Sequence, residues 1–213
     1  MKVIYSFDIS PPCRAVLMTA KALSVDVCVR ELNLFNGEQL KPNFLKINPL
    51  HTIPTLDDEG LIIINSHAIS IYLSDKYGKN DSLYPTNVEK RSQVNQMLFF
   101  DDGIAFSLLR SIVIPIMHGN KVIPDEKKVQ VKEVYDVLET FLKNKDWVAD
   151  SQVTIADFHL ITTVTTMNSL IPYGSEEHPN IASWIQRCEA LPHYNINQKG
   201  LQDFVNATKI FLS

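Results

Sequence analysis

The chain has 213 residues, of which 45% are hydrophobic and 21% charged, with a formal net charge of -4. Length and composition fit one large or two small folded domains and exclude disorder through the bulk of the chain, and the acidic balance argues against a nucleic-acid partner. No apolar run approaches the roughly 18 residues of a membrane span, no signal-peptide core opens the chain, and Cys13, Cys28 and Cys188 are odd in number and widely spaced, so a reducing, cytoplasmic setting without membrane association is expected.

Residues 3–7 read as a short strand, followed by Pro11, Pro12 and the helical series Val16, Leu17, Ala20, Leu23. Residues 27–32 alternate as a second strand. Residues 42–47 form a short helix ended by Asn48-Pro49. Residues 55–57 and 61–64 flank Asp58-Glu59-Gly60 as a hairpin, in which Gly60 is free to take positive φ. Ser66 opens a helix through Tyr77, with Gly78 as its C-cap. This order, βαβαββα, predicts an α/β thioredoxin-like domain over residues 1–80.

Residues 81–87 are polar, contain Pro85 and read as a linker. From residue 88 to 213 the pattern is helical and predicts an all-α bundle. Leu98, Phe99, Asp102, Phe106, Leu109 and Val113 recur on one helix that Pro115 kinks or ends. Residues 126–142, 154–169, 179–191 and 201–212 give four more helices. The one at 154–169 is apolar on most sides, so a central position is expected.

Three places carry chemistry. Ser10-Pro11-Pro12-Cys13 joins the first strand to the first helix, where the helix dipole and backbone N–H groups stabilise a thiolate. A serine there forms no mixed disulfide, but it can donate a hydrogen bond to a thiol brought by a ligand such as glutathione. A plain N-cap with a proline at N1 fits the same residues. Ile53-Pro54 precedes a strand, where a cis proline would turn the Ile53 N–H and C=O toward an extended peptide; a turn proline is the simpler alternative. Ser66 opens a helix and either caps it or binds a carboxylate with the first N–H groups.

The run from Tyr5 through Ser10-Pro11-Pro12-Cys13-Arg14 to Val16 resembles the insect glutathione transferases of the delta and epsilon classes. So do Phe44-Leu45-Lys46-Ile47-Asn48-Pro49, His51-Thr52-Ile53-Pro54-Thr55-Leu56-Asp57 and Ser66-His67-Ala68-Ile69. In the second half Leu83-Tyr84-Pro85 and Thr154-Ile155-Ala156-Asp157 also match. The Ser-His-Ala-Ile form leans toward epsilon. The resemblance implies a cytosolic glutathione transferase fold, glutathione as co-substrate, no metal and a homodimer.

It further implies that Ser10 activates the glutathione thiol. His51, Thr52, Ile53 and Pro54 would hold the cysteinyl and glycyl portions, and Ser66 and His67 the γ-glutamyl carboxylate. Asp101 matches a dimer-interface aspartate that reaches the neighbour's glutathione. Thr154 and Asp157 match a capping box. Gln39 stands where the classes usually have histidine, and Asn65 where they have the acid that meets the γ-glutamyl ammonium. An amide in that place brings no charge, so weaker glutathione binding is expected.

For the second substrate, a hydrophobic electrophile, Phe106, Leu109, Arg110, Val113 and Ile114 are expected to line a pocket beside Ser10. Phe35, Met117 and Phe211 complete it. Arg110 would pair with glutathione or with negative charge developing on the electrophile, and Ile114 replaces an acid common in epsilon enzymes. The expected function is detoxifying conjugation, with dehydrochlorination of organochlorine insecticides among its possible forms. Two alternatives stand beside it: a Cys13-based thiol transferase, and a carrier or hormone-binding protein with little turnover.

Overall fold

The computed structural model describes the backbone of residues 1–212 and the side chains of residues 1–209. Phe211, expected in the electrophile pocket, lies outside the described side chains. Four strands, β1 (Lys2–Ser6), β2 (Cys28–Glu31), β3 (Thr55–Asp58) and β4 (Leu61–Ile64), form one sheet in the order β2-β1-β3-β4. β1 runs parallel to β2, pairing Ile4 with Val29, and antiparallel to β3, pairing Tyr5 with Thr55. The β3–β4 hairpin turns through Glu59 and Gly60, both at positive φ, as a two-residue primed turn requires.

Alternation along β1 sorts the layers. Ile4 points to α1 (Pro11–Ala22) and α3 (Ser66–Tyr77), packing with Val16, Ala20, Ile69 and Leu73. Val3 and Tyr5 point the other way, to Phe44 on α2 (Pro42–Leu45). Asp58 locks the hairpin to α3 by accepting from Tyr72 and Tyr77 hydroxyls, each at 2.6 Å, and from Lys76 at 2.9 Å.

The second half is helical: α4 (Val88–Phe100), α5 (Phe106–Met117), α6 (Asp125–Leu142), α7 (Ile155–Leu170), α8 (Pro179–Glu189) and α9 (Asn195–Leu212). α7 is central, buried from Ile155 through Met167. Its capping box forms, with Asp157 Oδ2 accepting from the Thr154 N–H at 2.8 Å while Oδ1 takes the Trp184 ring N–H at 3.0 Å. α1 packs on both α7 and α9, which joins the two halves. No helix among the described residues is long and apolar enough to cross a membrane.

Three expectations need correction. The helix expected across residues 98–113 is two helices with a π turn, Asp101–Ala105, between them, closed by the Phe106 N–H on the Asp101 carbonyl. Pro115 does not end α5, which runs on to Met117. α9 also begins six residues before the expected start at 201.

Candidate active site at the starts of two helices

α1 begins with Ser10 in extended conformation as its N-cap, half-buried, its N–H donating to the Phe7 carbonyl at 2.9 Å. Pro11 and Pro12 have no N–H to offer. The next two amides, Cys13 and Arg14, both donate to the Ser10 carbonyl at 3.1 Å. The first turn therefore presents no free backbone donor among the described residues, contrary to the expectation of N–H groups gathered there. What remains for an anion is the helix dipole and the Ser10 hydroxyl, which makes no capping bond of its own.

Cys13 is completely buried, and burial pushes its thiol up against weaker opposing hydrogen bonds from the Ser10 hydroxyl and the Phe7 N–H. A buried, protonated thiol is inert. The buried side chain argues against a Cys13-based thiol transferase. All three cysteines are free.

The loop before the cis proline, the candidate peptide-binding loop, is built by Asn48, a residue the sequence pattern did not single out. Fully buried, it donates to the Thr52 carbonyl at 2.8 Å and the Thr55 hydroxyl at 2.9 Å and accepts from the Leu50 N–H at 2.8 Å. Thr52 is exposed, and its carbonyl and hydroxyl both accept from the Asn48 amide. The Ile53–Pro54 bond is cis, and the Ile53 N–H and C=O have no partner among the described residues. His51 is exposed at φ 46. Gln39 lies in a 3-10 turn, its Oε1 buried without a partner.

The α3 start has its own cap. Asn65, at φ 79, accepts from the His67 N–H at 2.9 Å and the Ala68 N–H at 3.2 Å, so Asn65 rather than Ser66 is the N-cap. Its amide donates to Asp102 Oδ1 at 3.3 Å. Ser66 is left with its own N–H and a hydroxyl, 3.4 Å from His67 Nδ1.

Below Ser66 lies a polar cluster that crosses between the two halves. His67 Nε2 is 2.9 Å from Asp101 Oδ2, and its ring stacks on His159 of α7 with centroids 4.0 Å apart. His159 Nε2 meets the Ser70 hydroxyl at 2.9 Å. Burial, then the neighbouring His67, holds the His159 pKa well below the ordinary imidazole value. Asp101 is 2% exposed, with Oδ1 unpaired. Its carboxylate thus points into its own protomer, not across a subunit interface; Asp102 is the exposed acid beside it. His67, Asp101 and His159 lie close enough together to hold an ion. Stacking keeps the two rings nearly parallel, which favours hydrogen bonding over convergent ligation.

On α5 the expected pocket residues divide. Leu109 is 1% exposed and packs in the helical core with Ile112 and Ile116. Phe106, Arg110, Val113 and Met117 form a second stripe, half-buried or exposed, at spacings of four, three and four. The exposed Arg110 makes no ion pair among the described residues. Ile114 is exposed to one side, and Phe35 sets its ring edge-on against Phe7, three residues before Ser10.

Residues 4–81 match the family model for the glutathione S-transferase N-terminal domain, and residues 100–192 that for its C-terminal domain. The chain belongs to the glutathione S-transferase family. It is 40% identical over 194 residues to Glutathione S-transferase 1 of Manduca sexta, covering 90% of this chain and 89% of that protein. An epsilon-class glutathione S-transferase from the housefly Musca domestica superposes with TM-score 0.96 at 39% identity, over 99% of this chain and 98% of that one. A glutathione transferase homolog from Drosophila mojavensis with bound glutathione superposes with TM-score 0.94 at 40% identity, over 99% and 97%. The protein is a glutathione transferase of the insect delta/epsilon type, acting with glutathione on hydrophobic electrophiles.

Proposed function

We propose that Ser10 holds the glutathione sulfur as a thiolate. The carrying observation is the start of α1, where the serine hydroxyl is the local donor and the first four positions of the helix are either proline or already bonded to the Ser10 carbonyl. The thiol proton is released on binding, sulfur attacks an electrophilic carbon, and the leaving group departs with its electron pair. Lowered thiol pKa and proximity supply the acceleration.

The unpaired Ile53 backbone takes the cysteinyl portion as a strand would, with His51, Pro54 and the donating NH₂ of the Gln39 amide toward the glycyl end. Ser66 and His67 take the γ-glutamyl carboxylate. The α5 stripe of Phe106, Arg110, Val113 and Met117 holds the electrophile.

A symmetric homodimer in the cytoplasm completes the reading. An exposed apolar face supports the dimer: Phe99 is 71% exposed, and a groove of about 660 Å³ between α5 and α6 is rimmed by Ile104 and Val137. Sedimentation at micromolar concentration should give twice the 24.2 kDa chain mass, and a stable monomer refutes the dimer.

Retention on glutathione-agarose combined with a turnover assay on a chlorodinitrobenzene-type substrate tests the function as a whole. Retention with turnover is expected. Retention without turnover would make the protein a carrier.

A further inference from the structure

Arg14 closes the Ser10-Pro11-Pro12-Cys13-Arg14 run, and glutathione chemistry as described leaves it without a task. It is 0% exposed. Its Nε donates to Asn197 Oδ1 on α9 at 2.9 Å. Nη1 donates to the Asp8 carbonyl at 3.3 Å and the Ile9 carbonyl at 3.0 Å. Nη2 reaches α7, at the Thr162 carbonyl, 3.3 Å away, and the Thr166 hydroxyl.

None of these acceptors is a carboxylate. Burying a cation without a counter-ion is costly. Burial draws the Arg14 pKa down to about 10, so the guanidinium still carries its charge at neutral pH. An arginine saturated by neutral acceptors, with Asp8 and Asp203 near but not paired to it, is an expensive way to fill this space, and among what it grips are the two carbonyls immediately before Ser10.

α9 closes on the same segment. Lys199 Nζ meets Asp8 Oδ2 at 2.8 Å. A Cβ at Gly200 would stand 2.2 Å from the Asp8 carbonyl oxygen and 2.5 Å from Arg14 Cδ, so only glycine lets the helix approach this near. The prolines add the need. With no amide donors in the first two positions of α1, the Asp8 and Ile9 carbonyls are held by Arg14, while Ser10 is held by its bond to Phe7 and by the Cys13 and Arg14 amides, and the Asp8 side chain by Lys199.

We propose that Arg14, seated by Asn197 and Gly200 of α9, is a positioning residue for the known reaction: it fixes residues 8–10 so that the Ser10 hydroxyl stands where the glutathione sulfur arrives. The inference rests on Ser10 as the thiolate's donor. Lysine cannot substitute, because a point charge does not reproduce a planar fork spread over five acceptors.

The test compares Arg14→Lys, Asn197→Ala and Gly200→Ala with Ser10→Ala and the parent. Each is read for the pH profile of kcat/KM in conjugation, KM for glutathione and the melting temperature. Arg14→Lys and Gly200→Ala keep the charge but disturb the seat. Both should move the acidic limb of the profile upward by about one pH unit, a roughly ten-fold loss of thiolate below its pKa, with KM for glutathione little changed. Asn197→Ala should move it less, and it carries the test if the other two do not fold. Folded variants that keep the parent's profile overturn the inference, whatever their melting temperatures. A shifted Ser10→Ala profile beside unshifted seat variants sinks the Arg14 role alone. An unshifted Ser10→Ala profile sinks the Ser10 reading and this inference with it.

Discussion

Two helices begin at the proposed glutathione site, and they are prepared for anions in opposite ways. α1 has its amides removed by Pro11 and Pro12 or spent on the Ser10 carbonyl, leaving one hydroxyl. α3 is capped by a side chain, Asn65, and stands on a buried cluster of His67, Asp101 and His159 reaching into the helical half. A stripped terminus makes the nearest side chain decisive, which suits a step in which protonation changes. A terminus locked across the two halves suits a charge that is merely held. Helix dipoles are common to both, so the dipole does not distinguish them.

Ser10→Ala strikes that contrast hardest. With no second donor at the α1 start, turnover at neutral pH should fall on the order of 10²-fold, the loss typical of removing one preorganised donor. The pH–rate profile should shift upward as the bound thiol's pKa rises, and turnover should partly recover in alkali. Glutathione retention should survive through Ile53 and Ser66. Since the Ser10 hydroxyl makes no capping bond, the melting temperature should change little. Parent-like turnover would mean that the thiolate is held elsewhere.

The α3 side is tested through acid stability. His159 is kept neutral in the folded state by burial and by His67. As pH falls below about 6.5 the unfolded chain takes up a proton there that the folded chain refuses. Stability therefore declines with falling pH, by up to about 1.4 kcal/mol per pH unit for one such group. Melting curves between pH 7 and 5 should show a gentler decline for His159→Gln than for the parent. Equal slopes would mean that His159 is not the titrating burden.

Asn65→Asp sharpens the comparison at its polar rim. Aspartate caps a helix as well as asparagine does. It restores a charge for the γ-glutamyl ammonium, worth about 1 kcal/mol or roughly five-fold in Kd by calorimetry. It also sets two carboxylates side by side, because Asn65 now donates to Asp102, so the free protein should melt lower. An unchanged Kd would indicate that Asp102 already serves the ammonium.

The smallest effect belongs to Cys13→Ser. The sulfur is fully buried with its pKa pushed up, so conjugation should stay at the parent level. A loss comparable to that of Ser10→Ala would return the chemistry to the cysteine.

Much of this was legible beforehand. The hairpin at Gly60, the proline after Ile53 and the Thr154–Asp157 box are local patterns whose residues carry their own geometry. What stayed hidden is what depends on partners distant in sequence. Nothing in Asp101-Asp102-Gly103-Ile104-Ala105 announces a π turn, so Asp101 was expected at an interface and lies against His67. Leu109 shares the apolar spacing of its neighbours, and only the packing of α5 decides that it faces the core. The first turns of α9 were missed because their inward positions, Asn197 and Gly200, do not look like core residues. His159 did leave a trace, an imidazole in an otherwise apolar stretch with no evident partner.

The π turn at Asp101–Ala105 also acts as an expansion joint. One surplus residue in an unbroken α-helical rod would offset everything beyond it by about 100°, the rotation of a single residue, and the wider π turn takes that residue up. α4 and α5 run almost end to end while facing different neighbours. Phe99, before the turn, looks outward to solvent, and the stripe of Phe106, Arg110, Val113 and Met117, after it, stands next to the core-facing Leu109, Ile112 and Ile116. Losing one residue in this turn would restore ordinary α-helical spacing across the junction and leave the stripe facing as it does. The turn is thus a place where the rod takes up a residue without moving the face beyond it.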